Sequence, residues 1–347
     1  MKYDFIEERD RLVEEGLLRC DDLSDLRIYT YKNHCKTWND ITINSRGVIF
    51  NRKTGEKVAH PFPKFFNMDQ RRDTQEHNLP WRGGFRLFRK EDGWLGILYR
   101  IDGEHRIATR GSFKSSGAVF ATSLLKKYNL DSLPDDVTLV FEIICPITRV
   151  VVDYGDRSDL VLLAAYNRHT GEEYSWDQVS AWGREFGFTF AESYDKHWLG
   201  YCRGQLKTVS GAKLEGFVIR FDNGLRVKIK SEDYFRRSHL LMSLTPIGVW
   251  NEMEYGKVSP SLWDIIDADY HDTLDGLAFA LEQKYSEVKS EIERQFNQIE
   301  CQPNRAAFAR EAAKMSHQAA IFSMFDSNDN NVDQYIMKHI RPGNNVI

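Results

Sequence analysis

Lys90 opens the tetrad Lys90-Glu91-Asp92-Gly93, which interrupts a strand-like run over residues 84–100. These residue types suit phosphoryl chemistry, because a lysine amine can attack phosphorus through nitrogen and a glycine lets the backbone approach a ligand closely. An aspartate between them can fix the turn. The tetrad alone is also compatible with a charged hairpin corner, so its meaning depends on the motifs that follow it.

Later motifs carry further charged residues of the same kind: Phe141-Glu142-Ile143, Leu214-Glu215-Gly216 and Val227-Lys228-Ile229-Lys230. Glu142 lies in the apolar run 137–145, where a carboxylate is costly unless it meets a partner. The two-residue period of a strand places the side chains of Lys228 and Lys230 on one face. Together these positions predict one site that combines cations with carboxylates.

This order of motifs resembles that of the covalent nucleotidyltransferases, a superfamily of DNA ligases, RNA ligases and messenger-RNA capping enzymes. Within it the sequence is similar to the RNA ligase 1 family of T-even bacteriophages, and the similarity extends over residues 26–238. Besides the tetrad at Lys90, the segments that carry the resemblance are 45–50, 63–67, 141–151 and 228–231.

The roles of individual residues are implied by this resemblance. Lys90 would attack the α-phosphorus of ATP, expel pyrophosphate and hold AMP through a P–N bond. Glu215 would hold Mg²⁺ or Mn²⁺ and, with Lys90, Lys228 and Lys230, form the catalytic group. Glu142 would accept hydrogen bonds from the ribose. The residues implied to bind the nucleotide are Arg46, Lys64, Glu91, Asp92, Gly93, Glu142, Lys228 and Lys230.

The cations of this set have two predicted tasks. Arg46 and Lys64 would clamp the β- and γ-phosphates so that pyrophosphate leaves in line. Lys228 and Lys230 would hold the α-phosphate and lower the pKa of Lys90. A lysine with an ordinary pKa of about 10.4 must reach about 7 to 8 to be neutral near physiological pH, which costs about 4 kcal/mol.

The implied reaction is the ATP-dependent joining of RNA 5′-phosphate and 3′-hydroxyl ends, through lysyl-AMP and then adenylylated RNA, with single-stranded RNA or nicked tRNA as the partner. Two alternatives are another lysyl-nucleotidyltransferase, either a DNA ligase or a capping-type guanylyltransferase, and a non-catalytic role in RNA binding or phage assembly. DNA ligases and capping enzymes usually continue into a five-stranded OB-fold. Residues 240–347 show helical patterns instead, which favours RNA ligase.

Composition divides the chain into two parts. Residues 240–347 carry 9 Lys and Arg against 16 Asp and Glu, whereas the whole 347-residue chain has a net charge of −4. General attraction for phosphates therefore belongs to the first part. We predict an α+β protein: an antiparallel-sheet nucleotidyltransferase (ATP-grasp-like ligase) domain over residues 1–239, followed by an all-helical C-terminal domain over residues 240–347 that could set RNA specificity.

The five cysteines are widely spaced and form no Cys-x-x-Cys pair, which indicates reduced thiols rather than disulfides or a zinc site. The first residues open no signal peptide, and no apolar run is long enough to span a bilayer. We therefore expect a cytoplasmic protein without a membrane segment, in the host cytoplasm if it is phage-encoded. Walker-A, Gly-x-Ser-x-Gly and His-Glu-x-x-His motifs are absent, so those enzyme classes lose support. The oligomeric state is not predicted.

Some positions keep two interpretations. Arg110 stands where the phage family tends to have a lysine, so a cation is retained while its role is open. Tyr166 would either stack on adenine or face the core. Segment 111–117 offers a phosphate site at a helix start or a plain serine N-cap. Aromatic residues mixed with arginine at 81–86 and 234–237 resemble RNA-stacking surfaces, although core packing is the favoured interpretation.

Overall fold

The computed structural model describes residues 6–266 and 270–343. The chain divides into two compact units between Phe235 and Arg236. This division falls inside the helix Glu232–Ser243, which also contains the predicted boundary after residue 239.

The first unit contains three larger sheets among its described residues. Helices α1 (Ile6–Glu14) and α2 (Asp40–Asn44) accompany the first sheet. Its strands are β1 (Leu18–Leu23), β2 (Leu26–Tyr31), β3 (Arg46–Asn51) and β4 (Lys57–Ala59). They follow one another in chain order, and each neighbouring pair is antiparallel.

The second sheet is antiparallel throughout and supplies one wall of the site. Its strands are β7 (Trp94–Ile101), β8 (Glu104–Thr109), β9 (Val137–Ile144) and β10 (Asp159–Asn167), in the spatial order β10-β9-β7-β8. Helices α3 (Ser116–Leu125) and α4 (Trp176–Phe186) pack against it.

The third sheet carries most of the predicted site residues. Its strands are β5 (Phe66–Asn67), β6 (Phe85–Lys90), β11 (Ser193–Asp195), β12 (Gly216–Phe221) and β13 (Arg226–Lys230). Their order is β11-β6-β12-β13-β5, and the short pairing of β5 with β13 is parallel. Helix α5 (Leu199–Thr208) packs on it, and α6 (Glu232–Ser243) follows it. The 3₁₀ turns include Arg72–Thr74, Glu76–Asn78, Pro146–Thr148 and Lys196–Trp198.

Strand β9 is buried at all eight positions. On one face Leu139, Phe141 and Ile143 share a core with α3 and α4. On the other face Val140 packs with residues of the first sheet. A strand covered on both faces needs apolar residues throughout, so Glu142, which shares the face of Val140, is the exception that requires a partner.

The register of the third sheet brings the predicted lysines together. Gly216 of β12 lies opposite both Lys90 of β6 and Lys230 of β13. Two residues further along β12, Val218 lies opposite Lys228. Because alternate residues of a strand share a face, the three lysines project from the same face of the sheet, and the core shared with α5 forms on the opposite face.

The second unit is helical except for a short hairpin within its described residues. Its elements are α7 (Pro246–Asn251), β14 (Met253–Glu254), β15 (Lys257–Val258), α8 (Ser261–Ile265), α9 (His271–Asn297), α10 (Arg305–Ala312), α11 (Gln318–Phe325) and α12 (Asp329–His339). Buried residues such as Leu281, Phe308 and Ile336 form its core. The predicted α+β class with a helical C-terminal region is confirmed.

The hairpin is a difference from the all-helical prediction for the tail. Tyr255 and Gly256 both have positive φ, 48° and 77°, as a tight hairpin turn of the I′ type requires. Only the glycine marks this turn in the sequence. Within the described ranges, no helix combines the length and the apolar content that crossing a bilayer would need.

Candidate active site

The tetrad at Lys90 is a crossing between two sheets rather than a hairpin corner. Strand β6 of the third sheet ends at Lys90, and β7 of the second sheet begins at Trp94. Residues 91–93 therefore connect the two sheets, and the site lies where these sheets meet.

Gly93 allows this crossing to approach strand β9. Its backbone N–H donates to Glu142 Oε1 at 3.0 Å. A Cβ added to Gly93 would lie 2.4 Å from the carbonyl oxygen of Ile143, which no side chain can tolerate. The sequence predicted that Gly93 contacts the nucleotide. That contact stays a prediction, and the close approach that the structure shows to require a glycine is to β9.

Asp92 ties the crossing to two other segments. Its buried carboxylate accepts the backbone N–H groups of Val151 at 2.8 Å and Val152 at 2.7 Å, and the hydroxyl of Tyr234 at 2.7 Å. Burial raises the pKa of this carboxyl. The sequence predicted that Asp92 binds the nucleotide. Protein donors occupy both of its oxygens, so in this structure Asp92 holds the crossing that follows Lys90, and its contact with the nucleotide stays a prediction.

Glu91 has a mixed position. It lines the same cavity as Lys90, as its predicted contact with the nucleotide requires. Its carboxylate, however, accepts the hydroxyl of Tyr154 at 2.9 Å, and the same hydroxyl accepts the backbone N–H of Asp92. Glu91 thus also helps to fix the crossing.

Glu215 joins two of the predicted lysines. Its Oε2 lies 2.8 Å from Lys90 Nζ and its Oε1 lies 2.8 Å from Lys230 Nζ, and the residue is only 2% exposed. A Cβ on Gly216 would lie 2.1 Å from the carbonyl oxygen of Ile229. The Glu-Gly motif therefore lets β12 approach β13 while a buried carboxylate is held between the two lysines.

The charge state of Lys90 differs from the prediction. Burial acts to lower the pKa of its ammonium, but the negative charges of Glu215 and Glu142 outweigh burial, and the pKa is raised. The sequence predicted the opposite, because it weighed Lys228 and Lys230 without a carboxylate in contact with Lys90. In this arrangement Lys90 is protonated, and it must lose a proton before it can attack phosphorus.

Lys228 is the lysine whose pKa falls. Burial is the largest cause, and the charges of Lys90, Lys230, Lys64 and Arg46 add to it, so that the pKa is lowered to about 7. Cations that lie close enough to lower the pKa of a neighbouring amine repel one another, and an anion that binds among them relieves this repulsion. This is the electrostatic environment expected of a phosphate site.

Arg46 is positioned by helix α2 and has an unused donor. The side chain of Asn39 caps α2, and Arg46 begins β3 two residues after the helix ends. Its guanidinium carbon lies 4.7 Å from the ring centre of Phe62 and 5.4 Å from that of Phe65. Its Nη1 is shielded from solvent and has no hydrogen-bond partner among the described residues. Such a donor is suited to an anionic oxygen.

Lys64 sits in an aromatic cage. Its ammonium nitrogen lies 5.0 Å from the ring centre of Tyr31, 5.3 Å from that of Trp38 and 5.1 Å from that of Phe66. Cation–π attraction to three rings holds the ammonium in place without neutralising its charge. That charge contributes to the lowered pKa of Lys228.

Arg110 belongs to the same group of cations. Its guanidinium carbon lies 5.1 Å from the ring centre of Tyr31. Burial alone would raise the pKa of Tyr31, but the charges of Arg46, Lys64 and Arg110 outweigh burial and lower it. We refer to Arg46, Lys64, Arg110 and Lys228 as the cation group. None of these four forms an ion pair with an acidic residue in the part of the chain that the structure describes.

Two other arginines near the site differ from the cation group because both contact a carboxylate, that of Glu173. Arg220 Nε lies 2.9 Å from Glu173 Oε1, and Arg226 Nη1 donates to Glu173 Oε2 at 2.7 Å. These two charges lower the pKa of Glu173 despite its burial. Glu173 balances one of these two charges, whereas no acidic residue pairs with the cation group in the described part of the chain, so most of the uncompensated positive charge lies with the cation group.

Lys90 lines a cavity of about 190 Å³. Its charged lining includes Arg46, Lys90, Glu142, Glu215, Lys228 and Lys230. Its apolar lining includes Phe88, Leu163 and Trp176, and the ring centres of Phe88 and Trp176 lie 4.6 Å apart. The structure thus brings most of the predicted site residues to one cavity. Lys64 is not among its lining residues and acts on the site through its charge, which lowers the pKa of Lys228.

The apolar lining was not found by sequence reasoning. Leu163 lies at a register irregularity of β10, between Leu162 and Ala164, and a bulge of this kind leaves no readable sequence signal. Tyr166, which the sequence kept as a stacking candidate, is buried in the core next to Phe62, with ring centres 6.5 Å apart. It therefore faces the core.

The other open segments also have structural roles. Ser115 Oγ accepts the backbone N–H of Ala118 at 3.3 Å, so the serine N-cap interpretation of segment 111–117 holds. Trp81 donates from Nε1 to the carbonyl oxygen of Glu76 at 2.7 Å and packs against neighbouring rings. Tyr234 is buried. The favoured core interpretation holds for Trp81 and Tyr234, whereas Phe235, in the same segment as Tyr234, is 51% exposed.

Four carboxylates line the cavity, those of Glu91, Glu142, Glu173 and Glu215, and Glu215 is the one predicted to hold a divalent cation. Within residues 6–266 and 270–343, no three His, Cys, Asp or Glu side chains converge as a ligand cluster. A cation at Glu215 would therefore take most of its ligands from phosphate and water, as Mg²⁺ commonly does. The residues present fit such a cation.

Comparison with known proteins gives the family. The sequence matches the family model described as RNA ligase, of the T4 RNA ligase 1 type, over residues 44–237, more than half of the chain. The chain belongs to this RNA ligase family. The matched part of this RNA ligase family member contains the whole predicted site, from Arg46 to Lys230.

Two curated relatives match part of the chain. A protein of Autographa californica nuclear polyhedrosis virus, named as a bifunctional polynucleotide kinase/RNA ligase, is 25% identical over 237 residues, which cover 60% of this chain and 33% of the relative. A protein of Thermovibrio ammonificans, named as an RNA ligase, is 29% identical over 203 residues, which cover 55% of this chain and 52% of the relative. The chain thus spans about a third of the length of the first relative and about half of the length of the second.

Solved structures share the fold of this RNA ligase family member. An archaeal ATP-dependent RNA ligase, form 1, superposes with a TM-score of 0.50 at 12% identity over 90% of both chains. Form 2 gives a TM-score of 0.50 at 13% identity over 84% of this chain and 83% of the other. This likeness concerns the fold, and it agrees with the predicted nucleotidyltransferase architecture.

Proposed function

We propose that this chain is an ATP-dependent RNA ligase that joins a 5′-phosphate to a 3′-hydroxyl through a covalent Lys90–AMP intermediate. The observation that carries the proposal is the position of Lys90. Its ammonium lines a cavity, 2.8 Å from Glu215 and next to a cation group that pairs with no acidic residue among those that the structure describes. Membership of the RNA ligase family supports the reaction class.

The lining of the cavity suits the separate parts of ATP. The apolar residues Phe88, Leu163 and Trp176 suit the base. Glu142 suits the ribose, because burial raises its pKa to about 7, so that near neutral pH it can accept or donate a hydrogen bond. Arg46, with its unpaired Nη1, suits a phosphate oxygen.

In the first step a bond forms between Lys90 Nζ and the α-phosphorus, and the bond from that phosphorus to pyrophosphate breaks. Lys90 loses one proton before the attack and a second as the P–N bond forms, both to water, while pyrophosphate leaves with the bonding electron pair. Separation of Lys90 from Glu215 favours the attack, because burial then lowers the pKa of Lys90. The charges of Arg46 and Lys64 stabilise the leaving pyrophosphate.

The later steps use the same amine as a carrier. The RNA 5′-phosphate attacks the phosphorus of Lys90–AMP, the P–N bond breaks, and a pyrophosphate linkage joins AMP to the RNA. The 3′-hydroxyl of the second end then attacks the RNA phosphate, and AMP leaves as a phosphodiester forms. A divalent cation, Mg²⁺ or Mn²⁺, held by Glu215 would add positive charge beside the phosphates when bound.

We assign RNA choice to the helical part, residues 240–347, and adenylyl transfer to residues 1–239, with broken tRNA as the substrate class. The helical part carries more acidic than basic residues, so it would recognise RNA by shape rather than by bulk charge. All five cysteines are free thiols, which suits the reducing cytoplasm. Sealing of nicked tRNA should exceed sealing of a short linear strand, and equal rates would contradict this assignment.

The central test is covalent labelling with α-labelled ATP and Mg²⁺. Wild-type protein should acquire an acid-labile label, Lys90→Ala should acquire none, and Lys127→Ala, which changes an exposed lysine, should label as wild type does. Labelling by GTP instead of ATP would identify a guanylyltransferase. Sealing of nicked DNA but not RNA would identify a DNA ligase. RNA sealing by Lys90→Ala at the wild-type rate would remove the proposed mechanism.

A further inference from the structure

Segment 196–213 combines exposed aromatic rings with positive charge. It contains four Lys and Arg residues and no Asp or Glu, in a chain whose net charge is −4. One of the four, Arg203, is paired with Glu76. Trp198 ends the 3₁₀ turn that precedes α5, and Tyr201 lies in the first turn of α5. They are 50% and 49% exposed, and their ring centres are 5.5 Å apart at an interplanar angle of 84°. We call these two rings the aromatic patch.

The aromatic patch is supported from behind. The ring centre of Tyr194 lies 6.3 Å from that of Trp198 and 6.3 Å from that of Tyr201. Tyr194 in turn packs against Phe217 of the third sheet. Rings held in this way offer a large rigid contact area at a small entropic cost.

The aromatic patch follows a strand that lies beside the nucleophile. Tyr194 belongs to β11, which pairs with β6, and it lies opposite Leu87. Leu87 is three residues before Lys90 on the same strand, which corresponds to about 10 Å along the strand direction. Because α5 packs on the face of the sheet opposite the lysines, an RNA strand whose end is at Lys90 reaches the aromatic patch by passing round β11, which is the edge strand of this sheet.

We propose that the aromatic patch and the cations of segment 196–213 bind the single-stranded part of the RNA substrate. Bases stack on Trp198 and Tyr201, and phosphates meet side chains such as Lys207 and Lys213, which are exposed. The proposal rests on the proposed ligase function and names the surface that holds its substrate. Open rings and exposed lysines in one segment favour nucleic acid over an apolar protein surface.

The backbone of helix α5 is also accessible near the aromatic patch, at two glycines. Nothing lies within 4 Å of the position that a Cβ on Gly200 or Gly204 would take. Glycine inside a helix costs roughly 1 kcal/mol relative to alanine, and packing within the described chain gives no reason for either residue. A strand that stacks on the aromatic patch can approach the helix backbone at these two positions.

The test measures RNA binding separately from adenylyl transfer. The double variant Trp198→Ala/Tyr201→Ala should bind a 5′-phosphorylated single strand at least tenfold more weakly by fluorescence anisotropy, since one stacked base commonly contributes about that factor. ATP labelling of Lys90, which needs no RNA, should be unchanged. Trp198→Phe/Tyr201→Phe should keep most of the affinity. Phe279→Ala, which removes a ring that is 70% exposed in the second unit, should have no effect.

A second variant tests the cations. Lys207→Glu/Lys213→Glu should weaken binding and make it less dependent on salt, with the slope of log K against log salt reduced by roughly 0.7 for each phosphate that is no longer neutralised. The aromatic variant should lower the affinity and leave this slope unchanged. The two variants thus separate stacking from charge.

Unchanged RNA affinity in the aromatic variant overturns the proposal. Unchanged RNA affinity together with loss of self-association would identify a protein interface instead. Lost ATP labelling would show that the aromatic variant does not fold. The lysine variant then tests the proposal by itself, and an unchanged RNA affinity with an unchanged salt dependence in that variant overturns it. If the wild-type protein takes no label from ATP while both variants bind RNA more weakly than it does, the ligase function is refuted and the proposed RNA-binding surface is supported.

Discussion

Lys90 and Lys230 bind the two oxygens of one carboxylate, that of Glu215, at 2.8 Å each. Both lysines lie opposite Gly216 on neighbouring strands, so the backbone register fixes the arrangement. One carboxylate does not balance every cation at this face of the sheet. Lys228 has no acid of its own among the described residues, and its pKa falls to about 7. The resting site thus holds a protonated nucleophile beside an amine that is close to neutral.

Lys228 should therefore be the amine that a neutral acylating reagent modifies first. With a pKa of about 7, about half of it is unprotonated at pH 7, against fewer than about one in a thousand for an ordinary lysine. After acetylation at pH 7 with a limiting amount of reagent, peptide mass spectrometry should show more acetyl groups on Lys228 than on Lys90 or on the exposed Lys127. ATP should protect it. Preferential acetylation of Lys90 would contradict the assigned charge states.

Gly216→Ala should disable the site without removing a functional side chain. The new Cβ would lie 2.1 Å from the Ile229 carbonyl oxygen, so β12 must move and carry Glu215 away from the lysines. We expect a loss of about 1 to 3 kcal/mol of unfolding free energy, a fall in Tm of roughly 2 to 4 °C per kcal/mol, and little ATP labelling of Lys90. Labelling at the wild-type rate would show that the spacing of these strands does not matter.

The matched control for that substitution is Gly276→Ala. Gly276 lies inside α9, and nothing is within 4 Å of the position of its Cβ. Alanine there should stabilise the helix by up to about 1 kcal/mol and leave ATP labelling unchanged.

Arg46→Ala and Lys64→Ala should separate the first step from the last. Both side chains belong to the cation group assigned to the leaving pyrophosphate, and RNA that is already adenylylated has no pyrophosphate to lose. We expect ATP labelling to fall by roughly 10²- to 10³-fold, while sealing of pre-adenylylated RNA changes little. Arg184→Ala, on the exposed side of α4, is the control. Equal loss in both assays would place these residues in RNA binding instead.

Tyr234→Phe should loosen the crossing that carries Lys90. It removes the hydroxyl that donates to Asp92 Oδ1 at 2.7 Å and leaves a buried carboxylate oxygen with one partner fewer, at a cost of about 1 to 3 kcal/mol. ATP labelling should slow as well. Tyr285→Phe removes the same kind of bond, to Asp333 at 2.9 Å in the second unit. It should lower stability without slowing labelling, and slowed labelling there would argue against a local effect.

Regular periodicity was the feature that sequence reasoning used best. β9 and β10 are apolar runs, α4 has a clear helical stripe, and the Asp-Asn-Gly turn at 222–224 marks the hairpin of β12 and β13. The sequence signal is weak for α5, because two glycines lower its helix propensity, and for β1, because its six residues show little alternation.

The sequence could predict which residues lie together at the cavity, but it could not predict which of their charges pair with one another. Strand alternation placed Lys228 and Lys230 on one face, yet nothing in the sequence shows that Glu215 would bind Lys230 and Lys90 together. The partners of Asp92 lie 59, 60 and 142 residues away. Contacts at such separations depend on how the sheets pack. A residue that the sequence suggests as a ligand-binding residue can therefore form its hydrogen bonds with other parts of the protein.

The affinity for ATP should fall as the pH rises above about 7. Free Lys228 has a pKa of about 7, lowered by burial and by the charges of Lys90, Lys230, Lys64 and Arg46. A phosphate beside it would restore a higher pKa. Binding then takes up a proton between these two values, so the affinity is flat below pH 7 and falls above it by at most tenfold per pH unit.

A non-reactive ATP analogue, titrated calorimetrically from pH 6 to 9, measures this dependence. In Lys228→Arg the guanidinium stays protonated throughout this range, so most of the fall should disappear. Ionisation of the nucleotide and of Glu142, whose pKa is also raised to about 7, is common to both proteins and cancels in the comparison. Identical pH profiles would show that Lys228 does not take up the proton, and the phosphate would then have to bind elsewhere in the cation group.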